Sequence, residues 1–447
     1  MPVFHSDRRH FLSATGTAFA ALALSGCMIR TAGRDGMPGA NGAFAGYGPL
    51  RSDPQGLLDL PEGFSYGVLS RLGDAMDDGG TVPDRGDGMG AFDIGNGEIA
   101  LVRNHELQPQ HDAGGPIARG FGTRNGEFVP GGTTTIVLDA GTLAVKRQFR
   151  SLGGTIRNCA GGTTPWGTWL SCEEAPTGPG QKYGEGLARN HGWVFEVPAT
   201  ANGLVDPVPL TAMGRFNHEA ACVDPETGFI YMTEDRDDSV LYRFVPRMSG
   251  DLVKGGRLQA MALEGLADTR NWAGSAMPVG RGYDVRWIDL SDVEAPADDL
   301  RRRAAAAGAA LIARGEGLHM GAGEMFACAT SGGAKGLGQV FRLVPGRRGA
   351  SDRFELFFES ESEEQFNYGD NLCVAPNGHL IVCEDQYTEV VDNHLRGITP
   401  AGRAYDFARL RTQTELAGAC FSPDGRWLFV NVYSPTATLA IMGPWAA

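Results

Sequence analysis

The sequence predicts an all-β fold, a six-bladed β-propeller with long inserted loops and one short helix. Short apolar strands recur in hairpins of one design, and 65 glycines and 25 prolines in 447 residues supply many tight turns. Long helical runs are scarce. The foldable length also exceeds the roughly 250–300 residues at which simple cores stop growing, which favours a repetitive or barrel architecture. Two packed β-sandwiches are the competing arrangement.

Residues 1–27 read as an export signal. The run Ser6 to Ser13 places Arg8 and Arg9 ahead of Phe11 and Leu12, and an apolar stretch follows to Leu24. This is the pattern of a twin-arginine leader. The apolar stretch is shorter than the roughly 20 residues a spanning helix needs. Leu24-Ser25-Gly26-Cys27 has the small residues that precede a lipid-attachment cysteine. Cleavage before Cys27 and acylation of it are expected, giving a periplasmic or envelope-anchored protein exported by the twin-arginine translocase. Residues 28–49, rich in Gly, Ala and Pro, read as a flexible tether, and residues 50–447 as the propeller domain.

The net charge of −14 excludes nucleic acid and anionic membrane surfaces as partners. Membrane contact is expected only through the lipid anchor, and a monomer is expected. With Cys27 acylated, seven of the eight cysteines remain, with no CxxC pair among them. That is not a disulfide framework. Cys222, Cys328 and Cys373 sit in apolar runs as small buried hydrophobes.

Four hairpins are plain: Cys159 to Glu174, Glu219 to Asp235, Asp370 to Asp385 and Gly418 to Val432. Two looser copies run through Gly95-Asn96-Gly97 to Glu106, and from Glu316 through Gly321-Ala322-Gly323 to Ser331. Alternation, β-branched and aromatic content, and Pro-Asn-Gly and Pro-Asp-Gly turns define them. Intervals of about 50 to 95 residues suit a propeller with inserted loops. The single helix is expected from Leu300, with Asp298 and Asp299 as caps.

In an antiparallel pair the first residue of one strand lies beside the last of its partner. Cys159 is thereby placed near Glu173 and Glu174, Glu219 near Glu234 and Asp235, and Asp370 near Glu384 and Asp385. The looser copies add Asn104, His105 and Glu106, and Arg314 with Glu316. So many carboxylates at one mouth repel each other unless cations neutralise them. Oxygen ligands suit calcium, and a lone thiolate among carboxylates suits a transition metal such as iron. A cross-strand disulfide with Cys172 is the rival role for Cys159. Arg314 beside Glu316 directs a guanidinium fork at this mouth, which fits phosphate. Metals with one Arg suggest hydrolysis of a phosphate ester.

On the motifs Arg157 to Glu174, Phe216 to Asp235, Arg314 to Gly317, Gly369 to Asp385 and Glu415 to Pro435, the chain resembles the PhoX-type alkaline phosphatases. The resemblance implies a six-bladed propeller holding iron and calcium ions that hydrolyses phosphomonoesters, so small phosphate esters are the expected substrates. It implies that Cys159 binds iron, that Glu219 and Glu316 bind metal, and that Arg314 contacts phosphate. It extends metal binding to Glu173, Asp370, Glu384 and Asp385. Family members commonly have Asn where this chain has Ala175, and a phosphate-binding Lys before the last hairpin. Here no Lys follows Lys335, and Arg403, Arg409 and Arg411 are the cations in that region. The alternatives to a phosphatase are a catalytically inactive metal-binding propeller and a calcium-dependent lactonase.

Overall fold

A computed structural model describes residues 46–386 and 388–445. Arg8, Arg9 and Cys27 lie outside them. Among the described residues no helix is long and apolar enough to cross a membrane.

The fold is all-β and propeller-like. Gly86–Asp93, Glu98–His105, Gly131–Asp139 and Val145–Thr155 make one antiparallel sheet, and Asn158–Thr163, Thr168–Glu173 and Val194–Pro198 the next. His218–Val223, Ile230–Glu234, Tyr242–Pro246 and Gly256–Leu263 follow. After them come Gly315–Gly321, Glu324–Ala329, Gln339–Val344 and Arg353–Glu359. Gly369–Val374, Leu380–Glu384, His394–Ile398 and Ala404–Leu410 are extended at the outer edge by Leu58–Pro61 and Leu50–Arg51. The last sheet joins Leu416–Phe421, Trp427–Val432 and Ala437–Met442 to Ser65–Arg71 from the other end of the chain.

The first strand of each group packs against the first strand of the next, and Leu416–Phe421 packs back onto Gly86–Asp93, closing a ring. Hydrogen bonding does not divide the described strands into six separate sheets. Gly282–Asp289 pairs with Gly256–Leu263 on one side and Arg353–Glu359 on the other, fusing two groups into a nine-stranded sheet. The long insertion expected to be a loop is therefore partly strand.

Alternation explains the packing, because apolar side chains on both faces of these strands fill the layers between neighbouring sheets. One such layer holds Phe341, Phe354, Leu343 and Met325, another Leu428, Val430, Leu395 and Phe407. The Pro423-Asp424-Gly425 turn works as its sequence predicts: Gly425 has φ +72°, and Asp424 Oδ1 accepts from Ser422 Oγ and Arg426 N. The helix forms at Leu300–Ala306 with Asp299 at its N-cap position, but the Asp299 carboxylate makes no cap hydrogen bond. Asp299 instead bonds Arg303 at 3.1 Å, and Asp298 bonds Arg301 at 3.1 Å. Cys222, Cys328 and Cys373 are buried in apolar layers, and all seven described cysteines are free thiols.

Candidate metal centre

Near its start each innermost hairpin carries one extra residue. The pairing register slips between Gly86 and Met89, Asn158 and Gly161, His218 and Ala221, Gly315 and Leu318, Gly369 and Leu372, and Ala417 and Cys420. A bulge releases a residue from the pleat and re-aims its side chain. The first residues inside these bulges are Asp87, Cys159, Glu219, Glu316, Asp370 and Gly418. Five bear ligand groups. Gly418 cannot: its φ is +62°, and a Cβ there would come within 2.3 Å of the Asp87 carbonyl oxygen.

These residues converge with Glu174 and Asp385, which follow their partner strands, and with Glu415, which leads into Leu416–Phe421. Ligand atoms of Cys159, Glu174 and Glu219 lie within 4.8 Å of one another, as do those of Glu219, Glu316 and Asp370, and of Asp370, Asp385 and Glu415. Glu219 and Asp370 are each shared, so the three groups form one continuous chain. Asp87 joins at the thiol end, its Oδ2 3.5 Å from Cys159 Sγ.

Burial and mutual repulsion drive the protonation of this cluster. Glu174 is pushed up to about 8, by burial first, with Asp235 and Glu106 adding repulsion that Arg157 and Asn217 only partly offset. Asp370 is pushed up to about 7 by burial and by Asp385. Burial, with repulsion from neighbouring carboxylates, also raises Asp87, Glu219, Glu316 and Glu415, and holds the Cys159 thiol in its neutral form. Asp87 Oδ1 and Glu219 Oε1 are buried with no hydrogen-bond partner among the described residues. Buried, unpartnered carboxylate oxygens are costly, and cations would relieve that cost. The donor set fits such ions: a thiol with carboxylates at one end, oxygen ligands alone at the other.

Three arginines stand on the rim, each two residues ahead of a bulge residue and each at positive φ: Arg85, Arg157 and Arg314. Arg314 forks onto Asp235, with Nε 2.7 Å from Oδ1 and Nη2 3.2 Å from Oδ2, and its Nη2 also reaches Glu316 Oε1 at 3.0 Å. Arg157 bridges Glu106 and Glu174. Arg85 donates to the Tyr433 hydroxyl at 2.7 Å, and that hydroxyl donates to Glu106.

A family model described as alkaline phosphatase PhoX matches residues 45–144 and 139–436. The chain belongs to the PhoX alkaline phosphatase family. Among solved structures, Pseudomonas fluorescens PhoX in complex with vanadate, a transition state analogue, is 20% identical with a TM-score of 0.68, over 87% of this chain and 96% of that one. At that identity the likeness concerns the fold. A protein of unknown function from Dyadobacter fermentans is 12% identical with a TM-score of 0.44, over 86% of this chain and 100% of that one. A gluconolactonase from Xanthomonas campestris is 13% identical with a TM-score of 0.39, over 84% and 95%. No curated protein matches the chain.

Of the residues singled out in this PhoX-family sequence, the structure brings Cys159, Glu219, Glu316, Asp370 and Asp385 into the cluster and sets Arg314 at its edge. Glu173 and Glu384 it turns away. They pair with Asn158 and Gly369 as the last residues of their strands, and strand alternation sends the next residues, Glu174 and Asp385, to the mouth. Glu173 is fully buried, accepting from Ile156 N, Gly192 N and Trp193 N and pairing with His191 Nδ1 at 2.6 Å. Glu384 accepts from Asn367 N and from Arg396 Nε at 2.7 Å. Glu234 behaves likewise, bonded to Tyr242 and Arg301. All three hold the sheets together.

Cys159 and Ala160 share the bulge opposite Cys172, yet both thiols are free, and Cys172, paired on its other side with Val194, packs in an apolar layer. Asn104 Nδ2 donates to the carbonyls of Cys159 and Ala160 at 2.9 and 2.7 Å, clamping that bulge. Ala175 packs beside Val129, Ile156 and Leu187. Arg409 and Arg411 pair with Asp392 and Asp59 around the outermost strands, and Arg403 lies in the turn before the outer strand Ala404–Leu410. Asp87, Glu174 and Glu415 were not among the metal residues expected. The signal for Asp87 was present: Arg85-Gly86-Asp87 repeats Arg314-Gly315-Glu316.

Proposed function

We propose that this PhoX-family chain is a metal-dependent phosphomonoesterase of the cell envelope, with iron at the Cys159 end of the cluster and calcium at the oxygen-only end. Family membership supports phosphate-ester hydrolysis as the reaction. The observation that carries the ion assignment is the chain of three ligand groups joined through Glu219 and Asp370, with a thiol at one end alone. A six-bladed propeller is the architecture proposed, on the six bulged hairpins and their closed ring of first strands, with Gly282–Asp289 as an insertion between blades.

When bound, the cations supply charge neutralisation for a phosphoryl group and activation of water. The chain supplies the positioning. Asp235 and Glu316 fix the plane of the Arg314 guanidinium at the edge of the cluster before substrate arrives, and a phosphoryl group would draw part of that guanidinium away from the two carboxylates. The vanadate bound by Pseudomonas fluorescens PhoX supports a site built for a phosphoryl group in transit. Asn104 fixes the backbone that carries the thiol. Export through the twin-arginine translocase, with retention through Cys27, is supported by Arg8 and Arg9 and by the residues before Cys27.

The test is elemental analysis of protein from its native compartment, alongside phosphate release from an aryl phosphate at alkaline pH. Iron and calcium in fixed ratio, both activity and iron disappearing in Cys159→Ala, are expected. Activity surviving in Cys159→Ala with metal content unchanged would overturn the assignment.

A further inference from the structure

We infer that Trp272 is a stacking platform for a flat aromatic group on the phosphate ester, so that the site favours aryl or nucleobase-bearing substrates over small alkyl ones. This deepens the phosphatase reading and rests on it. The indole is 44% exposed, and it is the one tryptophan among the exposed large hydrophobic residues described. It lies in the segment between Gly256–Leu263 and Gly282–Asp289, which emerges on the same side as the ends of Ile230–Glu234 and Glu324–Ala329.

The two segments that hold the backbone of Arg314 also hold this tryptophan. Arg314 N donates to Arg236 O, and Thr330 N donates to Arg314 O, both at 3.0 Å. Trp272 Nε1 donates to Ser331 O at 2.7 Å. Arg270 Nη1 donates to Asp237 O at 3.1 Å, and Gly333 N donates to Arg270 O at 2.8 Å. The indole is thus tied to the residue that follows Thr330, whose backbone holds that of Arg314.

Its orientation is fixed as well. The Arg270 guanidinium lies 4.3 Å from the ring centroid, and Asp268 locks that guanidinium with bonds of 2.9 and 2.7 Å. A cation against one side of the ring leaves the indole few rotamers to lose when a second ring stacks on it. An exposed aromatic pinned in this way on the segments that carry Arg314 is suited to a ligand that is anionic at one end and flat at the other.

The experiment titrates naphthylmethylphosphonate and methylphosphonate, neither hydrolysable, into the metal-loaded chain by calorimetry. Wild type should bind the aromatic phosphonate the more tightly, and Trp272→Ala should weaken it about tenfold while leaving methylphosphonate unchanged, with Trp272→Phe retaining most of the affinity. In turnover, Trp272→Ala should raise KM for naphthyl phosphate and leave kcat, and glycerol phosphate hydrolysis, as they were. No preference in wild type, or equal loss of both phosphonates, overturns the platform. Failure of wild type to hydrolyse either ester counts against the phosphatase reading alone, since the phosphonate titration still decides the platform.

Discussion

Arg314 and Asp235 meet fork to fork, the guanidinium Nε 2.7 Å and Nη2 3.2 Å from the two carboxylate oxygens, although 79 residues separate them in the chain. The pair ties one hairpin's lead-in residue to the neighbouring hairpin's trailing residue. It also presents the guanidinium in a fixed plane at the edge of the acidic cluster.

Arg314→Ala removes that plane and leaves Asp235 and Glu316 without their cation. Charged hydrogen bonds of this kind contribute about 1.5–3 kcal/mol each, so KM for an aryl phosphate should rise at least about tenfold. Arg314→Lys keeps the charge but loses the fork, and should recover only part of the loss. Steady-state kinetics on the metal-loaded variants is the check, and an unchanged KM would remove Arg314 from phosphate binding.

The adjacent glutamates should separate cleanly. Glu174→Gln should lower bound metal with little change in the denaturation midpoint of the metal-free chain. Glu173→Gln breaks a fully buried carboxylate site with three backbone donors and His191, and should cost about 3 kcal/mol or more. Chemical denaturation and elemental analysis on the same preparations distinguish the two; metal loss in both variants at equal stability would contradict the assigned directions.

Chelated protein should become less stable as pH rises. The carboxyls of Glu174 and Asp370 titrate at about 8 and about 7 in the folded chain, above their ordinary values near 4. Folding therefore takes up protons, and the stabilisation is complete below about pH 4 and is lost through pH 7 and 8. The melting temperature of the metal-free chain should fall by about 2 °C or more between pH 5 and 8. Metal-loaded protein should show a flat profile there, and a metal-free profile that rises across the window would refute this account.

Asn104→Ala should loosen the Cys159 bulge without removing a ligand. Two buried carbonyls lose their donor, at about 1–3 kcal/mol. The expected outcome is iron content that falls more than calcium content, read by elemental analysis; equal loss of both would mean a general folding defect.

The hairpins were legible because their turns and alternation are local properties, and so was the gathering of Cys159, Glu219, Glu316 and Asp370, which open their strands. What sequence could not supply was parity. Glu173 and Glu174 are chemically alike neighbours, and only the pairing register says that one faces the sheet interior and the other the mouth. The bulges are equally silent, since the extra residue shows only when both strands are laid side by side. Gly282–Asp289 was missed because its side chains, exposed at Asp284 and Arg286, lack the apolar signature of an inner strand. Asp87 lies a full strand's length ahead of Gly95-Asn96-Gly97, the turn that marks its hairpin in the sequence.

The extra residue in each hairpin gives the mouth a set of sockets that the pleat does not own. Replacing Asp87, Cys159, Glu219, Glu316 or Asp370 alters the ligand set while every cross-strand partner keeps its place, so inheritance can retune the ions around a constant scaffold. The sixth socket is closed to such change, because any side chain at Gly418 collides with the backbone of Asp87. A repeating ring thereby acquires a front and a back.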